Sequence, residues 1–129
     1  MKQTLLMEKY PVYSLVLSKD ETSRQSVDEI LEYLKTNIEN HPVARYIATF
    51  DHYTHTSNLE GGSIARDILD AKDIVFCFGL AIPSAEVLAV RPRSIGVVER
   101  KHDFVISFME APMPMANSAM ESWARGLME

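Results

Sequence analysis

SVDEILEYLKTNIEN, running from Ser26 to Asn40, decides the fold. Ser26 and Glu29 form an S-x-x-E capping box, in which each side chain satisfies a backbone donor left free at a helix start. Val27, Ile30, Leu31, Leu34 and Ile38 follow at spacings of three and four, one apolar stripe along an amphipathic helix. Asp28, Glu29, Glu32, Lys35 and Glu39 lie mostly on the other side, and Asn40 and Pro42 end the helix. Burying the stripe stabilises by roughly 1.5–3 kcal/mol per side chain. That gain needs an apolar surface to dock on, and the flanking sequence supplies strands.

On the N-terminal side, Tyr10 to Ser18 (YPVYSLVLS) is rich in β-branched and aromatic residues and reads as a strand. Pro11 lacks an N–H and belongs at its start or on an edge. Val43 to Phe50 is a second strand, with Ala44, Tyr46, Ala48 and Phe50 on one face. The polar run Asp51 to Asn58 extends that strand or opens a loop. Gly61-Gly62 breaks the chain, and Ser63 is placed to cap a short helix from Ile64 to Ala71. Ile74 to Ile82 is apolar on both faces, the pattern of a buried central strand. Ala85 to Val90 has room for one or two helical turns before Pro92. Ile95–Glu99 and Phe104–Met109 form a hairpin across Arg100 to Asp103. Met115, Ala119, Trp123 and Leu127, at spacing four, predict a C-terminal helix over about 114–128.

The element order predicts an α/β (α+β) two-layer sandwich. One mixed sheet of four to six strands carries helices mainly on one face, with parallel neighbours where helices cross over. A chain of 129 residues is a single domain, 1–129, with its core over 10–110. Hydrophobic residues at 47% and charged residues at 24% are ordinary for a globule.

The net charge of −5 disfavours phosphate backbones, so no nucleic-acid partner is expected. A single cysteine, Cys77, rules out an internal disulfide. The apolar run near the N-terminus is too short for a signal segment. The longest apolar run, Ile74 to Ile82, falls well short of the ~20 residues that span a bilayer, so no membrane partner is expected. The expected location is the cytoplasm.

The helix SVDEILEYL, the strand ending Phe50-Asp51-His52, Phe78-Gly79 in the central strand and the hairpin SIGVVERKHDFVISF together carry a resemblance. From about Ser26 to Phe108 the chain resembles the bacterial "domain of unknown function three hundred and two" family, or a divergent sister family of uncharacterised proteins. The resemblance implies a small α/β sandwich that often dimerises, and no reaction. The spacing from Gly79 to Pro83 and the Met-rich C-terminal helix depart from the family's pattern.

Asp51 and His52, at a strand end, are a candidate acid–base pair, since imidazole titrates near neutrality. Glu99 or an arginine is a candidate assistant. His52 and His55 are the candidate metal ligands, although in a strand they point to opposite faces. Cys77, between Phe76 and Phe78, reads as a core thiol. Gly61-Gly62-Ser63 before a helix could hold an anion through backbone N–H groups. Arg91 and Arg93, joined by His52, are the candidate ligand-binding residues for a small anion, because guanidinium forks grip carboxylate or phosphate. Five of seven methionines fall at 109, 113, 115, 120 and 128. They suit adaptable apolar packing.

The expectation is therefore a non-catalytic, homodimeric binding or accessory domain with a small-ligand pocket and no cofactor. It would pair with itself through the C-terminal helix, anchored by Trp123 and Met120. The alternatives are a small enzyme using His52 and Asp51, and a His/Met metal or haem binder. Whether His52, Glu99 and the Arg91/Arg93 pair share one cavity separates them.

Overall fold

The computed structural model describes residues 1–129. Six strands form one sheet: β1 (Lys2–Leu6), β2 (Tyr10–Ser18), β3 (Ala44–Phe50), β4 (Asp70–Phe78), β5 (Arg93–Glu99) and β6 (Asp103–Met109). Their spatial order is β1-β2-β6-β5-β4-β3. Helix α1 (Val27–Asn40) crosses the sheet from β2 to the far edge at β3, and the chain returns as the meander β3-β4-β5-β6. Helix α2 (His52–Ser57) follows β3, and α3 (Pro114–Arg125) closes the chain. The α+β sandwich is as the sequence predicts.

The strand directions differ from the expected mixture, because every pairing is antiparallel. The crossover through α1 does join two strands of like direction. Three strands of the meander stand between them, so they never become neighbours.

Helix α1 is capped by Ser26, whose hydroxyl accepts the Glu29 N–H at 3.1 Å; the reciprocal half of the expected box does not form, because the Glu29 carboxylate accepts from the Ser26 hydroxyl at 3.3 Å instead. Val27, Ile30, Leu31, Leu34 and Ile38 are all buried. They meet the inward residues of the strands, among them Leu15, Leu17, Ile74, Phe76, Ile95, Phe104 and Ile106. Helix α3 adds Ala116, Met120, Trp123 and Ala124 to the same core.

Several local readings need correction. β4 begins at Asp70 and ends at Phe78, so it is shifted from the expected 74–82. Leu80 and Ile82 leave the sheet and are 87% and 70% exposed. The strand is buried on one face only: Ile74, Phe76 and Phe78 alternate with half-buried Val75 and Cys77. No helix forms over 64–71, because Leu69 already donates to the Glu99 carbonyl at 2.8 Å as the chain enters β4. The polar run after Phe50 is neither strand nor open loop but α2. β1, which the sequence reading lacks, pairs with β2 across a turn where Met7 and Glu8 adopt left-handed φ of 54° and 62°.

Candidate functional site

The candidate residues fall in three separate places, and β4 measures the distance between them. It runs from Asp70, opposite Glu99, past Asp73, opposite Phe50, to Phe78, opposite Ala44. Each residue of a strand advances the chain about 3.3 Å, so Asp73 and Phe78 are roughly 17 Å apart.

The first place is the start of α2. Asp51 caps this helix, its carboxylate accepting from the Thr54 N–H at 3.0 Å and the Thr54 hydroxyl at 2.9 Å. The Thr54 backbone bond, the Thr54 hydroxyl and nearby Lys72 hold the Asp51 carboxyl below its ordinary value. Asp51 is thus bonded to Thr54 rather than to His52, whose Nδ1 meets the Thr56 hydroxyl at 3.0 Å. The helix brings His52 and His55 to one face, as an i, i+3 pair should be. Their rings stand edge-on with centroids 6.2 Å apart, each 5.3 Å from Phe50. No third His, Cys, Asp or Glu joins them in a metal-holding cluster. Asp73 lies on the same side of the sheet as Phe50, its carboxyl raised by burial and lowered in part by the charge of His52.

The second place is the C-terminal end of β5, opposite the start of β4. Glu99 is ion-paired with Lys19 at 2.6 Å. In the neighbouring turn Arg100 grips both oxygens of Asp103, at 2.7 and 2.9 Å. This pairing raises Arg100 and lowers Asp103. The charge of Arg100 is therefore answered locally.

The third place is a small apolar cleft of about 60 Å³ between the loop after β4 and the start of α3. Phe78, Val87, Val90, Ala111, Met113 and Ala116 line it together with Arg91 and Arg93. A second hollow of about 200 Å³ shares Arg91 and Met113. Arg93 donates to the carbonyls of Val90, at 3.2 Å, and Met109. Arg91 donates to the Ala81 carbonyl at 2.7 Å. A guanidinium has five N–H donors. Both therefore keep unspent donors, and neither belongs to an ion pair. Burial lowers the pKa of Arg93.

So Arg91 and Arg93 converge, while His52 and Glu99 lie elsewhere. Sequence reasoning finds the arginines through their i, i+2 spacing. It misses Val87, Ala111 and Ala116, which come from separate segments and carry no common period.

Other readings change too. Met120 is fully buried and Trp123 is 8% exposed, stacked on Phe78. Both face the core, so they do not present a surface to a second copy. Met109, Met113, Met115 and Met128 are exposed at different points of the surface. Gly61-Gly62-Ser63 precedes no helix and has no dipole to offer an anion. No helix is long and apolar enough to cross a membrane.

A family model, "Family of unknown function (DUF6858)", matches residues 1–129. The chain belongs to that family. It is uncharacterised, in line with the sister-family form of the resemblance above. Among solved structures the chain is similar to the crystal structure of an uncharacterised conserved protein DUF302 from Bacillus stearothermophilus. The identity is 17%, each chain is 88% covered, and the TM-score is 0.47. No curated protein matches.

Proposed function

We propose that this chain is a non-catalytic, homodimeric binding module for a small amphiphile with one anionic head. The carrying observation is the pair Arg91 and Arg93: two partly buried cations without a carboxylate partner, set in an otherwise apolar cleft. Desolvated charge is costly unless it is paired, and a bound carboxylate would supply the pairing. The cleft itself, about 60 Å³, takes only the tip of an apolar body, and the adjoining hollow of about 200 Å³ that shares Arg91 and Met113 takes the rest. Exposed Leu80, Ile82 and Leu88, from the loop that carries Arg91, offer it further apolar contact. The acid–base reading has less support, because the Asp51 carboxylate is bonded to Thr54 and Glu99 to Lys19. Cytoplasmic location remains part of this proposal.

Trp123 is the chain's one tryptophan, and it stacks on Phe78 at the cleft floor. Its fluorescence therefore reports on the site. Titration with octanoate is expected to give a saturable change, and octylammonium none. An equal response to both would assign binding to apolar contact alone, and no response to octanoate would overturn the proposal.

A further inference from the structure

The helices α1 and α3 cover one face of the sheet, and on the other the chain meets only the rim: α2 beside Phe50 and Asp73, and the loop after β4 beside Cys77. Strand alternation puts Val16, Val75, Cys77, Val98, Val105 and Ser107 on that open face, and none of them is buried. The open face of an antiparallel sheet is ordinarily polar where it meets water. Here the four central strands carry mostly small apolar and hydroxyl side chains with two charges among them, Asp73 and Asp103, the second held by Arg100. The surface area points the same way. The chain exposes 7963 Å², about 1,000 Å² more than the roughly 6,900 Å² of a compact monomer of its mass.

We propose that this open face is the interface between two copies of the chain, packed sheet on sheet. The inference deepens the homodimer reading above by naming its surface. Two features select a second copy over an unrelated partner. One is size: six strands of about seven residues make a face of roughly 24 Å by 24 Å, near the lower bound of a standard interface of about 800 Å² per partner.

The other feature is charge. Arg45, on β3 opposite Cys77, and Asp73, on β4 opposite Phe50, project from the same face. They stand about four residues apart along the strands, with Val75 midway. A two-fold axis in the plane of the interface, crossing the strands at the level of Val75, lays each strand over its own copy. The same axis brings Arg45 of each copy to the level of Asp73 of the other, one strand spacing of about 4.8 Å to the side and within reach of a long guanidinium side chain. A single surface bearing one acid and one base in this way is complementary to itself, as an isologous two-fold contact requires. Gly96, directly opposite Asp73 on β5, has no side chain, which leaves the carboxylate open to the partner.

Sedimentation equilibrium at micromolar concentrations tests the assignment. The wild type is expected to be dimeric. Val75→Lys places two like charges at the axis, and Asp73→Arg sets two arginines against each other; both are expected to be monomeric with an unchanged circular-dichroism spectrum. The exchange Asp73→Arg with Arg45→Asp is expected to restore the dimer, which a variant that merely misfolds would not do. A monomeric wild type overturns the proposal. A dimer that survives Val75→Lys and Asp73→Arg also overturns it, while leaving the homodimer reading intact. Octanoate binding at Arg91 and Arg93 is read separately by Trp123, so failure of the ligand assignment is distinguishable from failure of the interface.

Discussion

Trp123 of α3 lies flat on Phe78 of β4, their ring centroids 5.8 Å apart and their planes 12° from parallel. His41 at the end of α1 meets both rings edge-on, at 5.4 Å to Phe78 and 5.9 Å to Trp123. This cluster ties both sheet-covering helices to β4 and floors the cleft. Truncating a buried tryptophan costs about 3–5 kcal/mol. Trp123→Ala should lose stability of that order in urea unfolding, and Trp123→Phe clearly less. A loss below about 1 kcal/mol for Trp123→Ala would mean that α3 packs elsewhere.

The start of α1 makes a second prediction. Ser26→Ala removes the acceptor of the Glu29 N–H, at 3.1 Å, and should cost about 1 kcal/mol by urea midpoint. Ser26→Asp or Ser26→Asn should restore most of it, since both side chains accept at this position.

Tyr33 and Gly126 are coupled. The Tyr33 hydroxyl donates to the Trp123 carbonyl at 2.7 Å, and a Cβ on Gly126 would lie 2.3 Å from the Tyr33 hydroxyl oxygen. Gly126→Ala must push the hydroxyl aside, and overpacking of this kind costs about 1–3 kcal/mol. In a Tyr33→Phe background the penalty should shrink. Additive costs in a double-mutant cycle would show that the two do not share the space.

The pH dependence of Asp73 has a definite sign. Burial raises its folded-state pKa above the ordinary 3.8. The penalty is absent below the unfolded pKa, where both states are protonated. It grows as pH rises and is complete above the folded pKa. In the wild-type monomer at low protein concentration, Asp73→Asn should therefore raise the melting temperature at neutral pH, and the gain should vanish in acid. Asp103 behaves in the opposite sense: Arg100 lowers its pKa, so its contribution is present at neutral pH and lost as the pH falls through the folded value. Equal melting shifts for Asp73→Asn at both pH values would contradict the burial of this group.

What the sequence makes legible follows from where the physics is local. The α1 stripe and its Ser26 cap are short-range signals, and they are read almost to the residue. β1 is invisible because its turn at Met7 and Glu8 reaches left-handed φ without glycine or asparagine. α2 is invisible because HYTHTS has no apolar period; Asp51 and the Phe50 ring hold it instead. β4 is misplaced because Asp70 and Lys72 look unlike strand residues. Pairing with Glu99 and Val97 on β5 carries them into the sheet, and Lys72 meets Asp28 of α1 at 2.7 Å. At the site, Arg91 and Arg93 are visible by spacing. Their cleft is not, since Phe78, Val87 and Ala111 meet only through tertiary contact.

Calorimetric titration of octanoate into the wild type and into Arg91→Gln and Arg93→Gln tests the binding account most directly. Binding in the wild type, weakened at least about tenfold in each variant with the fold intact, is the predicted result; about 1.4 kcal/mol of lost head-group pairing per arginine corresponds to that factor. Unchanged affinity in both variants would contradict the account.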